Sequence, residues 1–166
     1  MLIVKLGVAG GIFAWLILNH FIVDFLFQTH NEAMNKHNNP RIRAKHCAIY
    51  AFGFFPFMWY LDFNFLEYFI SYNILFWTHF IQDTYISVYL WTKYIRRPSE
   101  MTDPRKEKFI TSSGLTMERY GNPDPKQGFI EFISTPLGKI LMIAVDQIIH
   151  IVCLIPIVLI VFNKIK

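Results

Sequence analysis

The sequence predicts an all-α protein: a four-helix transmembrane bundle with one long cytoplasmic loop between its third and fourth helices. Three observations carry this expectation. Of the 166 residues, 54% are hydrophobic and only 17% are charged, against about 25% charged in an ordinary soluble domain. The apolar residues gather in four runs, Leu2–Phe27, Cys47–Leu61, Tyr68–Trp91 and Leu137–Phe162, each reaching or approaching the ~20 residues that cross a bilayer. The basic residues fall mainly in the segments between these runs. A water-soluble enzyme and a disordered chain are both excluded by this composition. The net charge of +4 reads as a topology signal rather than a nucleic-acid footprint. Two cysteines in or beside apolar runs make no disulfide framework.

The elements follow in order, as one integral membrane domain over residues 1–166. Span 1 covers residues 2–28. It exceeds the length of an export-signal core and ends in polar residues with no small-x-small cleavage site behind them, so it reads as a retained helix. A short basic connection leads to span 2, residues 46–62, in which Pro56 predicts a kink. A short acidic turn leads to span 3, residues 68–93. The polar segment 94–135 carries four prolines and a Ser-Ser-Gly break, and reads as a loop or a lid. Phe129, Ile130, Phe132 and Ile133 within it suit a membrane interface. Span 4, residues 136–162, opens on Thr135 and Pro136, a capping residue followed by proline in the first turn. Lys and Arg number four in segment 29–45, nine in 93–139 and none in 62–67. The positive-inside bias then predicts a multi-pass protein of the inner (cytoplasmic) membrane, with both termini outside.

The informative residues are the polar ones within the spans. His20 and Asp24 lie in span 1, His79 and Asp83 in span 3, Asp146 and His150 in span 4. Each pair is spaced i,i+4, which stacks both side chains on one helical face. An acidic group at a helix centre costs about 2.5–3.5 kcal/mol on insertion scales, so three cost on the order of 8–10 kcal/mol. Such groups face a bundle interior and find partners there. With the predicted topology all fall in the cytoplasmic half at compatible depths, and His46 stands at the mouth.

Imidazole and carboxylate across facing helices are ligands for Zn, Mn or Fe. His20, Asp24, His79, Asp83, Asp146 and His150 are therefore the candidate ligands for one or two divalent ions. His46 is a further ligand or a general acid/base, and Gln28 and Gln147 are candidate supporting donors. Lys36, and with it Arg43, is placed to hold an anionic group. Two other readings use the same residues: an ion or proton path, and plain interhelical hydrogen bonding that fixes packing. Cys47 and Cys153 read as inert buried thiols, and Gln82 as a packing residue. Gly7, Gly10 and Gly11 suit close helix approach.

These residues also carry a resemblance. The string H-x-x-x-D-F-x-x-Q from His20 to Gln28, then Lys36, His46, the His79/Asp83 pair and D-Q-x-x-H from Asp146 to His150, resembles the DUF3307 family of small bacterial membrane proteins. The resemblance implies a small multi-spanning inner-membrane protein, also encoded by some phages. It implies no activity, because that family is itself uncharacterised. Segment 94–135 matches no motif of it. There is a looser likeness to membrane-bound metal-dependent hydrolases, which also carry His and Asp in spanning helices.

The leading expectation is metal-dependent hydrolysis of a phosphoester or lipid-like substrate that reaches the site from the bilayer interface. The expected partners are the bilayer and an anionic or lipid-like small molecule, with no nucleic acid. A small ion, metal or proton transporter or channel-like subunit, and a structural membrane protein with a polar packing core, are the alternatives.

Overall fold

The computed structural model describes residues 2–164; the outermost terminal residues, expected on the outer side of the membrane, are not among them. The chain divides into two compact units, Met1–Ile86 with Gln147–Lys166, and Ser87–Asp146.

In the first unit, α1 (Leu2–Phe21) runs into one π-helical turn, Ile22–Leu26. The chain leaves it into α2 (His30–Asn35), which starts in a capping box: the Thr29 side chain accepts from the Glu32 amide, and the Glu32 carboxylate accepts from Thr29. Asn39 caps α3 (Pro40–Phe52), with proline in its first turn. After Gly53 and Phe54 comes α4 (Phe55–Tyr60). A second capping box, Asn64 with Glu67, opens α5 (Phe65–Gln82). Further along the chain, α9 (Pro136–Val152) crosses from the second unit into the first and is followed by α10 (Ile155–Lys164). The apolar core joins α1, α3, α5 and α10 through Leu16, Tyr50, Leu75 and Ile157, with Phe54 and Leu154 from the turns before α4 and α10.

The second unit holds α6 (Ile86–Trp91) from Ser87 onward, a π-helical turn Thr92–Arg96, and α7 (Ser99–Thr102). An antiparallel hairpin follows, β1 (Arg105–Ile110) with β2 (Thr116–Gly121), Arg105 opposite Gly121 and Ile110 opposite Thr116. Gly114, with φ 77°, supplies the left-handed residue of its turn. Asp124 caps α8 (Pro125–Ser134), which buries Gly128, Phe129 and Phe132.

This corrects the expected four-helix transmembrane bundle. Among the described residues two helical stretches are long and apolar enough to cross a membrane, Leu6–Leu26 and Pro136–Lys164. The expected span 2 is divided between α3 and α4 and does not reach the length of a span. The interruption falls at Gly53 and Phe54, which keep right-handed dihedrals just before Pro56, whose ring and missing N–H preclude a helical bond to Phe52; Gly53 there packs against the Val23 methyl groups. The expected span 3 ends at Gln82. Asp83 terminates α5, and Tyr85 adopts φ 59°, a conformation no helix continues through. Nor is segment 94–135 a loop, since it holds two short helical elements, the hairpin and α8. Hydrophobic runs read along the chain cannot reveal these breaks, because an apolar residue suits a turn buried against a neighbour as well as a span.

Neither long stretch is mostly buried, as the core helix of a soluble fold would be. Only 17% and 28% of their most apolar windows are buried. Trp15, Leu18, Leu137, Ile140, Ile148 and Leu159 are exposed along them.

Candidate metal centre

The polar residues of the first unit converge on one buried spot. Asp24 comes from the π-helical turn after α1, His46 from α3, and His79 and Asp83 from the last turn and cap of α5. A π-helical turn widens the helix by one residue per turn and is a frequent device at functional sites. Here it carries Asp24 onto α3, where His46 Nε2 lies 3.1 Å from Asp24 Oδ1 and 2.9 Å from His79 Nε2. His79 Nε2 is 3.5 Å from Asp24 Oδ1 and 3.4 Å from Asp83 Oδ2. Asp24, His46, His79 and Asp83 are between 1% and 4% exposed, so none of these groups can be charged without a partner inside the protein.

Two sets of three side chains have ligand atoms within 4.8 Å of one another: Asp24, His46 and His79; and Cys47, His79 and Asp83. His79 is common to both. Nitrogen, carboxylate oxygen and thiolate sulfur are the donors that zinc and its neighbours take. The fit to a divalent ion has a further mark. Both carboxylate oxygens of Asp83 are buried and make ion pairs but no hydrogen bond. His46 Nε2 and His79 Nε2 also face each other, an arrangement that two lone pairs share comfortably only with a proton or a cation between them.

The remaining predicted residues lie as follows. His20 belongs to the edge of the cluster. Its Nε2–H donates to Gln147 Oε1 at 3.1 Å, and its Nδ1 accepts from the Tyr50 hydroxyl at 3.0 Å, so both its nitrogens are engaged. The His20 and Asp24 side chains thus serve different neighbours despite their i,i+4 spacing. The ring of His150 stacks with His20, centroids 5.6 Å apart, and its Nε2 is 4.0 Å from Asp83 Oδ1. Asp146 falls in the second unit and in neither donor set. Gln28 keeps a buried side-chain nitrogen without a hydrogen-bond partner.

Lys36, at the end of α2, turns inward. Its Nζ lies 3.0 Å from Asp83 Oδ1, 3.5 Å from Asp24 Oδ1 and 3.3 Å from His46 Nε2, and the residue is 7% exposed. Arg43 donates to the backbone carbonyls of Lys36 and His37 and covers the Phe80 ring at 4.4 Å. His37 donates from Nδ1 to the Asp83 carbonyl at 2.8 Å and stacks on Tyr85. Burial holds the His37 imidazole below its ordinary value, with the Asp83 carbonyl pulling the other way.

Sequence reasoning missed two residues here. Tyr50 bonds His20 and stacks on His79 with centroids 3.9 Å apart. Cys47, set aside as inert, stands in a donor set. The missed signal was His46 with Tyr50, one more i,i+4 pair, now on α3.

Fold and site together define a helical protein with two membrane-length helices beside a buried His/Asp/Cys cluster. Residues 12–112, well over half of the chain, match the family described as "Protein of unknown function (DUF3307)". The chain belongs to that family. The matched stretch contains His20, Asp24, Lys36, His46, His79 and Asp83 and ends before His150. No curated protein and no solved structure matches the chain.

Proposed function

We propose that this protein is a membrane metalloprotein that holds a divalent transition ion in the first unit. One observation carries the reading: ligand atoms of Asp24, His46 and His79, from three separate elements, lie within 4.8 Å of one another in a site closed to solvent. Asp83 and Cys47 supply the adjoining donors. His46, with its Nε2 turned to Asp24 and His79, serves as a ligand. His20, Tyr50, Gln147 and His150 form the wall that orients them.

The lipid bilayer is the partner of the two long apolar helices. Lys36, Arg41, Arg43 and Lys45 all lie within twenty residues of the end of the first stretch. By the positive-inside bias that connection would face the cytoplasm and both termini would lie outside the cytoplasmic membrane.

Two activities suit such a centre. A bound ion would supply Lewis acidity for hydrolysis of a phosphoester or lipid-like substrate. The burial favours the other, an ion-binding or ion-transferring subunit. The space beside His79 and His150 has no room for a water molecule, whereas small-molecule sites run to about 300–1,000 Å³. Hydrolysis would require that wall to open.

Metal quantitation of protein purified without chelators tests the reading. A stoichiometric transition metal is expected, and Asp83→Asn and Asp24→Asn should each weaken its binding by at least about 100-fold. Metal-free wild-type protein that also fails to take up Zn²⁺, Mn²⁺ or Fe²⁺ would end it. Ion flux into liposomes, compared with turnover of a chromogenic phosphoester, separates the two activities.

A further inference from the structure

The Lys36 ammonium stands where a cation would stand. Its Nζ lies within 3.0–3.5 Å of Asp83 Oδ1, His46 Nε2 and Asp24 Oδ1, atoms of the same side chains that make up the two donor sets. An ion bound by those atoms at the usual 2.0–2.2 Å must take the space the ammonium fills, and two cations cannot share it in a buried site.

We propose that Lys36 is a tethered cation that occupies the site when no metal is bound, and that a divalent ion enters only by displacing it. The proposal rests on the metal-binding reading above and adds how the site selects its occupant. Lysine suits this role because it is a compact point charge on a flexible four-carbon stem, which can leave without moving the backbone. The backbone is held independently. Arg43 Nη1 donates to the carbonyls of Lys36 and His37 at 3.3 and 3.1 Å. Lys45 pairs with Glu32 of the same short helix at 3.0 Å. The exchange is therefore a swing of one side chain. While Lys36 is in place, Asp24 and Asp83 have a counter-charge, so the cluster survives burial without metal. Weakly bound or monovalent ions then compete poorly against the tethered charge. An ion that offsets the displacement with several ligand bonds competes well.

The test titrates purified, metal-stripped protein with Zn²⁺ and compares wild type with Lys36→Met, which keeps the stem and removes the charge. The expected result is binding at least tenfold tighter in Lys36→Met. Its unfolding temperature should fall without metal and rise more than that of wild type when Zn²⁺ is added. Equal or weaker binding by folded Lys36→Met overturns the proposal and leaves the metal site standing. A residue that only supports the fold would give the lower unfolding temperature without the gain in affinity. If neither protein binds Zn²⁺, Mn²⁺ or Fe²⁺, the metal reading fails and the proposal with it. A second measurement on wild type alone covers a variant that does not fold. Acetylation of Lys36 by acetic anhydride, read by peptide mass, should rise severalfold on adding Zn²⁺ while that of the exposed Lys45 stays level. No rise at Lys36 overturns the displacement.

Discussion

At the scale of single residues, the cluster shows how a buried carboxylate chooses its neighbours. Asp83 has lost its water, and its two oxygens face Lys36 on one side and His46 and His79 on the other. Its backbone carbonyl is spoken for as well, by His37. That bond carries a pH dependence. Burial holds His37 below its ordinary value, so between the lowered value and about 6.5 the unfolded chain binds more protons than the folded one. Stability from this residue is therefore fully present above about pH 6.5 and is lost as pH falls through that window. His37→Gln should cost about 1 kcal/mol at pH 8 from the lost hydrogen bond. Its thermal midpoint should approach that of wild type as pH falls below about 6.5, the ordinary imidazole value. A gap that stays constant or widens would show that His37 does not carry this dependence.

Elements decide which of these residues can meet. The i,i+4 pairs on α5 and at the end of α1 were legible from spacing alone, because side chains four apart share a helical face. Which face turns inward was not. The π-helical turn separates the roles of His20 and Asp24, and the end of α5 at Gln82 makes Asp83 a cap rather than a mid-helix residue. The start of α9 at Pro136 was equally legible, since Thr135 and proline make a local signal. The close approach of Gly53 to Val23, thirty residues away in sequence, was not. A Cβ there would meet Val23 Cγ2 at 2.5 Å. Gly53→Ala should lower stability by about 1–3 kcal/mol, the range for overpacking. It should also reduce bound metal, since Val23 adjoins Asp24. In the second unit a Cβ on Gly128 would run into the Glu100 carbonyl. Gly128→Ala should loosen α8 from α7 while metal per protein stays at the wild-type level. Unfolding curves and metal content on the same samples check both.

For the whole molecule, the question is what covers the exposed apolar surface. Leu6–Leu26 and Pro136–Lys164 are mostly unburied, and leaving so many leucine, isoleucine and aromatic side chains in water is unfavourable by about 25 cal/mol per Å². Membranes washed at high salt and then with alkaline carbonate should retain the protein, and detergent should release it. Release by carbonate alone would refute embedding in the bilayer.

The amino-acid order by itself determined the apolar, helix-dominated composition, the family resemblance and the list of side chains that had to find partners. Those properties reside in residue type and in spacing over a turn or two. Only the tertiary structure decided that the second and third apolar runs do not form membrane-length helices, that Cys47 and Tyr50 stand among the histidines, and that Lys36 points inward. These outcomes depend on contacts between residues far apart in the chain, and burial against a distant neighbour leaves no periodic trace in the sequence.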